Sequence, residues 1–411
     1  MDILLAAAAR ALASGDPVGA LKVVGLRGDA PALALHGIAM AQLGELARSR
    51  ELLQRAARAF APGEAVARAR CVIARAEVAL AAHDLEPGPD RALDAAIATL
   101  DARGDRRNAL HGRLVAIRRH LWLGQIDLAE RALAGIDLRG APAPIAAIGE
   151  LVAATIALRR VRTGPARAAL DRARTAAARA GIPALHAEIE HARAALDAPA
   201  ARAIASGAAR PVRLDEVEAI LGSDDLVVDA CRRTVGDRRR TAVLTRRPVL
   251  FALARALAEA WPRDVARDAL IASAFDVRRA NDSHRARLRV EIGRLRRELR
   301  AVADVQATAP GFALTPRRAR SIVVLAPPID GPGAAVLALL ADGESWSTSA
   351  LALALGQSQR TVQRTLSELE ADGRVRSSGG ARARRWLAPP TPEFTTTLLL
   401  PAALPIGPGS R

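Results

Sequence analysis

The stretch SHRARLRVEIGRLRRELRAV, Ser283 to Val302, decides how the chain is read. Leu288, Ile292, Leu295 and Leu299 recur at helical spacing and form one apolar stripe. Arg285, Arg287, Arg289, Arg294 and Arg296 project from the other faces. Residues 277–300 hold nine arginines against Asp282, Glu291 and Glu298, a net charge of +6. A rod built this way seats its apolar side on its own domain and offers the guanidiniums to a polyanion. In a major groove, arginine binds guanine edges in bidentate fashion or holds phosphates. The competing reading is a solvated helix laced by i,i+4 ion pairs. Glu291 with Arg287 and Glu298 with Arg294 fit that spacing, but they leave most of the arginines uncompensated.

The flanks give this helix a setting. Upstream, Leu226–Val228 and Thr241–Leu244 are short β-prone runs around the basic turn Arg232–Arg240. A helix over Arg247–Glu259 ends at Pro262, and a shorter one covers Arg267–Ala274. Downstream, Val305–Thr308 and Gly311–Leu314 read as two strands around Pro310-Gly311. This order resembles the winged-helix effector domain of OmpR/PhoB-type response regulators, over about residues 215–316. The resemblance is carried by Leu244-Thr245, by Val265-Ala266-Arg267 with Leu270, by the apolar frame of Ser283–Val302, and by Ala307-Thr308…Gly311-Phe312. It implies binding of double-stranded DNA, with the basic helix in the major groove. The family's wing arginine is replaced by Ala309, with Pro310 after it, and Glu291 and Gly293 stand in the recognition helix. Helical repeats take the place of the family's receiver domain. Repeats joined to such a module also resemble the parts of antibiotic-regulatory activators, in reversed order.

Those repeats fill residues 1–200, where alanine, leucine and arginine dominate. Leu43-Gly44-Glu45-Leu46-Ala47 reappears as Leu123-Gly124-Gln125-Ile126-Asp127-Leu128-Ala129, with Val161–Ala166 and Ala82–Leu85 in the same slot. The spacing of Gly44, His83/Asp84, Gly124 and Gly164 is close to 40 residues, the sign of stacked helical hairpins in which the glycine closes the first helix. The pattern resembles tetratricopeptide-type repeats, which implies a groove for a protein or peptide. His186 and His191, with Glu188 and Glu190 between them, are five apart, a poor spacing for a metal pair on a helix, and both histidines read as part of a solvated face.

After the linker Ala326–Gly333 comes a second unit, residues 334–388. Ala334–Ala341 is a short apolar helix, Ser347–Ser349 caps the next, Gly356-Gln357 turns, and Ser358 caps a third. Ser358, Gln359, Arg360, Thr361, Gln363 and Arg364 lie at or near its exposed start, and Arg382 and Arg384 lie on a glycine-tipped basic hairpin. Trp386 is expected in the core. The unit resembles the winged helix-turn-helix of MarR- or IclR-type regulators, which implies base reading by the Gln/Arg helix and phosphate contact by the hairpin. Residues 389–411 read as a flexible tail.

Composition bounds the rest. The chain of 411 residues carries 60 basic and 43 acidic residues, net +17, and Lys22 is its only lysine. Residues 201–320 hold +10 against +6 for the first 200, so the positive field is concentrated centrally. Cys71 and Cys231 stand alone, which excludes a disulfide scaffold and argues against a Cys/His zinc site. There is no P-loop, dinucleotide glycine fingerprint, HExxH or nucleophile elbow. The expected protein is mainly α and multidomain: a repeat solenoid (1–200) followed by two winged helix-turn-helix domains (212–318 and 334–388). It is expected to be a cytoplasmic transcriptional regulator of double-stranded DNA, not an enzyme, without cofactor or metal, with a possible protein partner on the repeats. A helical-repeat adaptor whose basic domains bind acidic proteins or RNA is the alternative.

Overall fold

The computed structural model describes residues 2–82, 84–85, 88–275, 277, 280–328, 332–340, 345–355, 357–378 and 384–387. These residues are mainly helical, with eighteen helices and eleven strands. The first part is α1 (Ile3–Ala13), α2 (Pro17–Val24), α3 (Ala30–Gln42), α4 (Leu46–Ala59), α5 (Ala65–Ala81), α6 (Arg91–Ala102), α7 (Arg106–Trp122), α8 (Ile126–Ala134), α9 (Ala143–Arg159), α10 (Thr163–Ala180) and α11 (Pro183–Asp197). Aspartates start several of them: Asp16 accepts from the Gly19 amide at 2.8 Å and Asp90 from the Leu93 amide at 3.0 Å. The helices bury alanine and leucine on their inner sides, as with Leu114, Ile148, Leu151, Ala169 and Leu170.

The turns within successive pairs share one geometry. Gly44 (φ +84°) donates to the Ala41 carbonyl while Glu45 donates to Met40; around Gly124 (φ +75°) the Leu121 and His120 carbonyls play the same parts. In the last pair the left-handed residue is Val161 (φ +54°), with Val161 donating to Leu158 and Arg162 to Ala157. Gly164, expected to close that helix, lies instead in the first turn of α10. A β-branched residue in this conformation is unusual, and Val161 is also half-buried against the sheet described next. That packing explains why a larger side chain occupies a glycine slot.

The chain then forms β1 (Pro199–Ala205), β2 (Ala208–Arg213), α12 (Leu214–Leu221), β3 (Leu226–Asp229), β4 (Thr234–Gly236) and β5 (Thr241–Val243). Next come α13 (Pro248–Ala260), β6 (Val265–Ala266), α14 (Arg267–Phe275), α15 (Asp282–Leu299), β7 (Ala303–Ala307), β8 (Gly311–Pro316) and β9 (Ile322–Ala326). Six strands make one sheet in the order β2-β1-β9-β3-β4-β5, with β9 parallel to β3 and antiparallel to β1. Alternation sends Leu226, Val228, Ile322 and Val324 to one face against α13 and α15, and Val227, Val323 and Leu325 to the other with Val217 of α12. Three strands of this sheet come from segments where no strand was expected. Residues 199–211, read as a change in composition, form a hairpin, and β9 comes from beyond residue 318.

A second sheet, β6-β8-β7, lies beside α15. Gly311 opens β8 against β6, where a Cβ would stand 1.8 Å from the Val265 carbonyl oxygen. Gly311→Ala is therefore expected to push β6 away and to cost about 1–3 kcal/mol, the range for overpacking, as read by urea denaturation. Unchanged stability would mean the two strands part freely.

The last described elements are α16 (Pro332–Leu340), α17 (Thr348–Leu355), α18 (Gln359–Ala371), β10 (Arg376–Ser378) and β11 (Arg385–Leu387). The Ser347 and Ser358 hydroxyls cap α17 and α18 as expected, each accepting a backbone N–H at 3.1 Å. Val336, Leu351, Val362, Leu366 and Trp386 share a small core. This unit touches both of the others: Leu387 is buried among Leu85, Leu93 and Trp122, and the Arg233 guanidinium donates to the Ala354 carbonyl. The predicted tail, 389–411, lies outside the described residues. No helix among the described residues is long and apolar enough to cross a membrane.

Candidate nucleic-acid interface

The basic helix α15 begins where the sequence suggests. Asn281 caps it, its side chain accepting from the His284 amide at 2.9 Å, and the His284 ring stacks on Phe275 of α14. Leu288, Ile292, Leu295 and Leu299 are buried against α13 and α14, so the axial rotation of the rod is fixed. Arg285, Arg287, Arg289, Arg294, Arg296, Arg297 and Arg300 all lie on its exposed surface.

Their partners divide them. Arg285 stands 3.5 Å from the carboxylates of both Asp268 and Asp282. Arg287 lies over the Phe275 ring at 4.4 Å rather than against Glu291. Glu291, nearly buried, pairs with Arg294 at 2.9 Å, an i,i+3 contact. Glu298 pairs with Arg247 at 2.5 Å instead of the expected Arg294. Both expected i,i+4 pairs are thus replaced, because α13 and α14 bring competing groups to the helix. Arg296 donates from Nε to the Val305 carbonyl at 2.8 Å and faces Phe312, which ties α15 to β7. Among the described residues Arg289, Arg297 and Arg300 have no ion-pair partner.

The β7–β8 turn sits beside this surface, and Arg267 holds its shape. The guanidinium donates to the Ala309 carbonyl at 2.7 Å and the Thr308 carbonyl at 3.2 Å, and lies over Phe312. Sequence reading placed Arg267 only as the start of a helix. It also passed over a cleft where Arg240, Arg300, Arg317 and Arg318 converge at the C-terminal end of α15, with Asp304 paired to Arg317 at 2.7 Å. The runs Arg238–Arg240 and Arg317-Arg318 were the available signal.

On the last unit Ser358, Gln359, Arg360, Gln363 and Arg364 are exposed and Thr361 is half-buried. Arg364 lies 3.9 Å from Glu368, and Gln363 accepts from the Thr348 hydroxyl at 3.4 Å. Arg384 is committed locally: its guanidinium reaches Glu370 at 3.0 Å and the Ser377 hydroxyl at 2.9 Å and covers the Trp386 ring. Arg382 lies outside the described residues. The two clusters do not merge into one site; α15 and α18 belong to separate cores.

Burial pushes the thiols of Cys71 and Cys231 up to about 12. No group of three or more His, Cys, Asp or Glu among the described residues is placed to hold a metal. No family model matches the chain, and no curated protein or solved structure matches it either.

Proposed function

We propose that the protein is a non-enzymatic transcriptional regulator that binds double-stranded DNA through α15. The observation that carries this reading is a helix buried along one side, with the guanidiniums of Arg289, Arg297 and Arg300 exposed and, among the described residues, without an ion-pair partner. A duplex groove supplies the missing anions, and the rigid β7–β8 turn stands where a wing would flank the bound helix. The order of α13, β6, α14, α15, β7 and β8 supports a winged-helix reading of this unit. The α17–α18 pair, with Gln359, Arg360 and Gln363 outward, supports a second helix-turn-helix that adds to affinity by raising effective concentration. The paired helices α1–α10 support a repeat solenoid that recruits or senses a protein partner.

Arg289→Ala is expected to weaken binding to a specific duplex by about 5–150-fold, the equivalent of about 1–3 kcal/mol for a lost base contact. Arg294→Ala is expected to weaken it less, since Glu291 already neutralises that guanidinium. Fluorescence anisotropy at several salt concentrations checks both. Unchanged affinity in the double variant, or no duplex bound more tightly than ~10⁻⁶ M at physiological salt, would overturn the reading.

A further inference from the structure

Between α13 and the α16–α17 pair lies a cavity of about 410 Å³. That volume falls in the range of small-molecule sites, ~300–1,000 Å³, and its position between two cores is where such sites concentrate. Its apolar lining includes Pro248 and Phe251 of α13 and Leu355 of α17. Its charged lining is Arg202, Arg233, Arg255 and Glu259. Arg255 is paired with Glu259 at 2.6 Å, and Arg202 donates from Nε to the Pro327 carbonyl at 3.2 Å.

Arg233 differs from both. It is half-buried, it donates to the backbone carbonyl of Ala354 and lies over the Phe251 ring, and among the described residues no carboxylate forms an ion pair with it, the cavity's Glu259 being paired to Arg255. Its backbone is left-handed, φ +53°, a conformation that costs a non-glycine residue energy and that clusters at binding sites. Burial lowers its guanidinium to about 10, the direction expected where no anion compensates the charge. A cation held in a strained turn inside a part-apolar cavity, with the counter-charge missing, is complementary to an amphipathic anion.

We infer that this cavity binds a small organic anion, its carboxylate or phosphate against Arg233 and its apolar body against Pro248, Phe251 and Leu355. The site is independent of the DNA-binding reading, and its test contains no DNA.

Isothermal titration of the full chain compares octanoate, octyl phosphate and octan-1-ol, each below its aggregation concentration and at fixed ionic strength. At least one of the two anions is expected to saturate a single site, and octan-1-ol is expected to give no heat. Binding of octanoate alone identifies a carboxylate ligand, and binding of octyl phosphate alone a phosphate ester. Arg233→Gln is expected to weaken that binding at least about tenfold, the loss of a charge-assisted hydrogen bond. Because Arg233 also holds Ala354, Leu355→Trp provides a second variant that fills the cavity and leaves the guanidinium in place; it too is expected to abolish binding. Circular dichroism checks that both variants stay folded. No heat from either anion, equal binding of octan-1-ol, or affinity unchanged in both variants would overturn the inference.

Discussion

Trp386→Ala is expected to remove about 3–5 kcal/mol from the C-terminal unit, the range for deleting a fully buried aromatic side chain. The indole is completely buried, its Nε1 donates to the Thr348 hydroxyl at 2.9 Å, and the Arg384 guanidinium covers its face. Its backbone exchanges two hydrogen bonds with Trp346, at 2.9 and 2.7 Å, which joins the segment before α17 to β11. Truncation thus opens a void among Val336, Leu351, Val362 and Leu366 and leaves the Thr348 hydroxyl without its donor. A small core has little other stability to draw on. Hydrogen exchange is the suitable measurement, because it reads this unit separately from the larger ones. The amides of α17 and α18 should lose most of their protection while those of α9 and α10 keep theirs. Trp386→Phe should restore most of it. Protection unchanged in Trp386→Ala would show that Trp386 is not what holds the unit together.

A second large effect concerns Glu188 of α11, buried to 3% exposure among the N-terminal helices. Its Oε1 accepts from the Arg118 guanidinium at 2.8 Å, yet burial dominates and raises the carboxyl from its ordinary 4.5 to about 7, with Glu77 nearby adding to the rise. Glu77 is itself buried and lies 2.9 Å from the His111 ring. Because the folded-state value is the higher one, the stability tied to this group is complete below pH 4.5 and disappears as pH climbs to about 7. An exposed carboxylate paired with arginine would slope the opposite way. Glu188→Gln removes the titration while nearly keeping the shape. The stability of the variant relative to the parent should therefore rise by about 3 kcal/mol between pH 4.5 and pH 8. Urea denaturation across that interval measures it, and a constant difference would sink the claim.

Helices were legible wherever one segment carried its own signal. The stripe of α15, the Ser347 and Ser358 caps and the buried place of Trp386 follow from local pattern and chemistry. Ion pairs at i,i+4 were legible only as candidates, because Phe275 and Arg247 arrive from other helices and outcompete the intrahelical partners. Val161 was invisible for a similar reason: nothing local marks a valine for a left-handed turn, and its support comes from the sheet. The burial of Glu188, between two histidines read as solvated, was not legible because Arg118 lies 70 residues away in sequence. The strands β1, β2 and β9 were hidden too. Ile322–Ala326 is five apolar residues with no alternation, which is how a strand buried on both sides reads, and β1 is too alanine-rich to announce itself.

The insertion of β9 between β1 and β3 makes the middle of the chain a clasp: the polypeptide enters through one central strand and leaves through its neighbour. A fragment cut at residues 212–318, the limits suggested by sequence, would lack both and would bare the backbone donors and acceptors of β3 along its whole length. Such an edge invites pairing with another molecule, so that fragment should self-associate, whereas 199–327 keeps the seam closed. A pull between the N-terminal helices and the C-terminal unit would act on the adjoining ends of antiparallel β1 and β9, where Arg202 faces Ala326, and would peel those rungs open one after another.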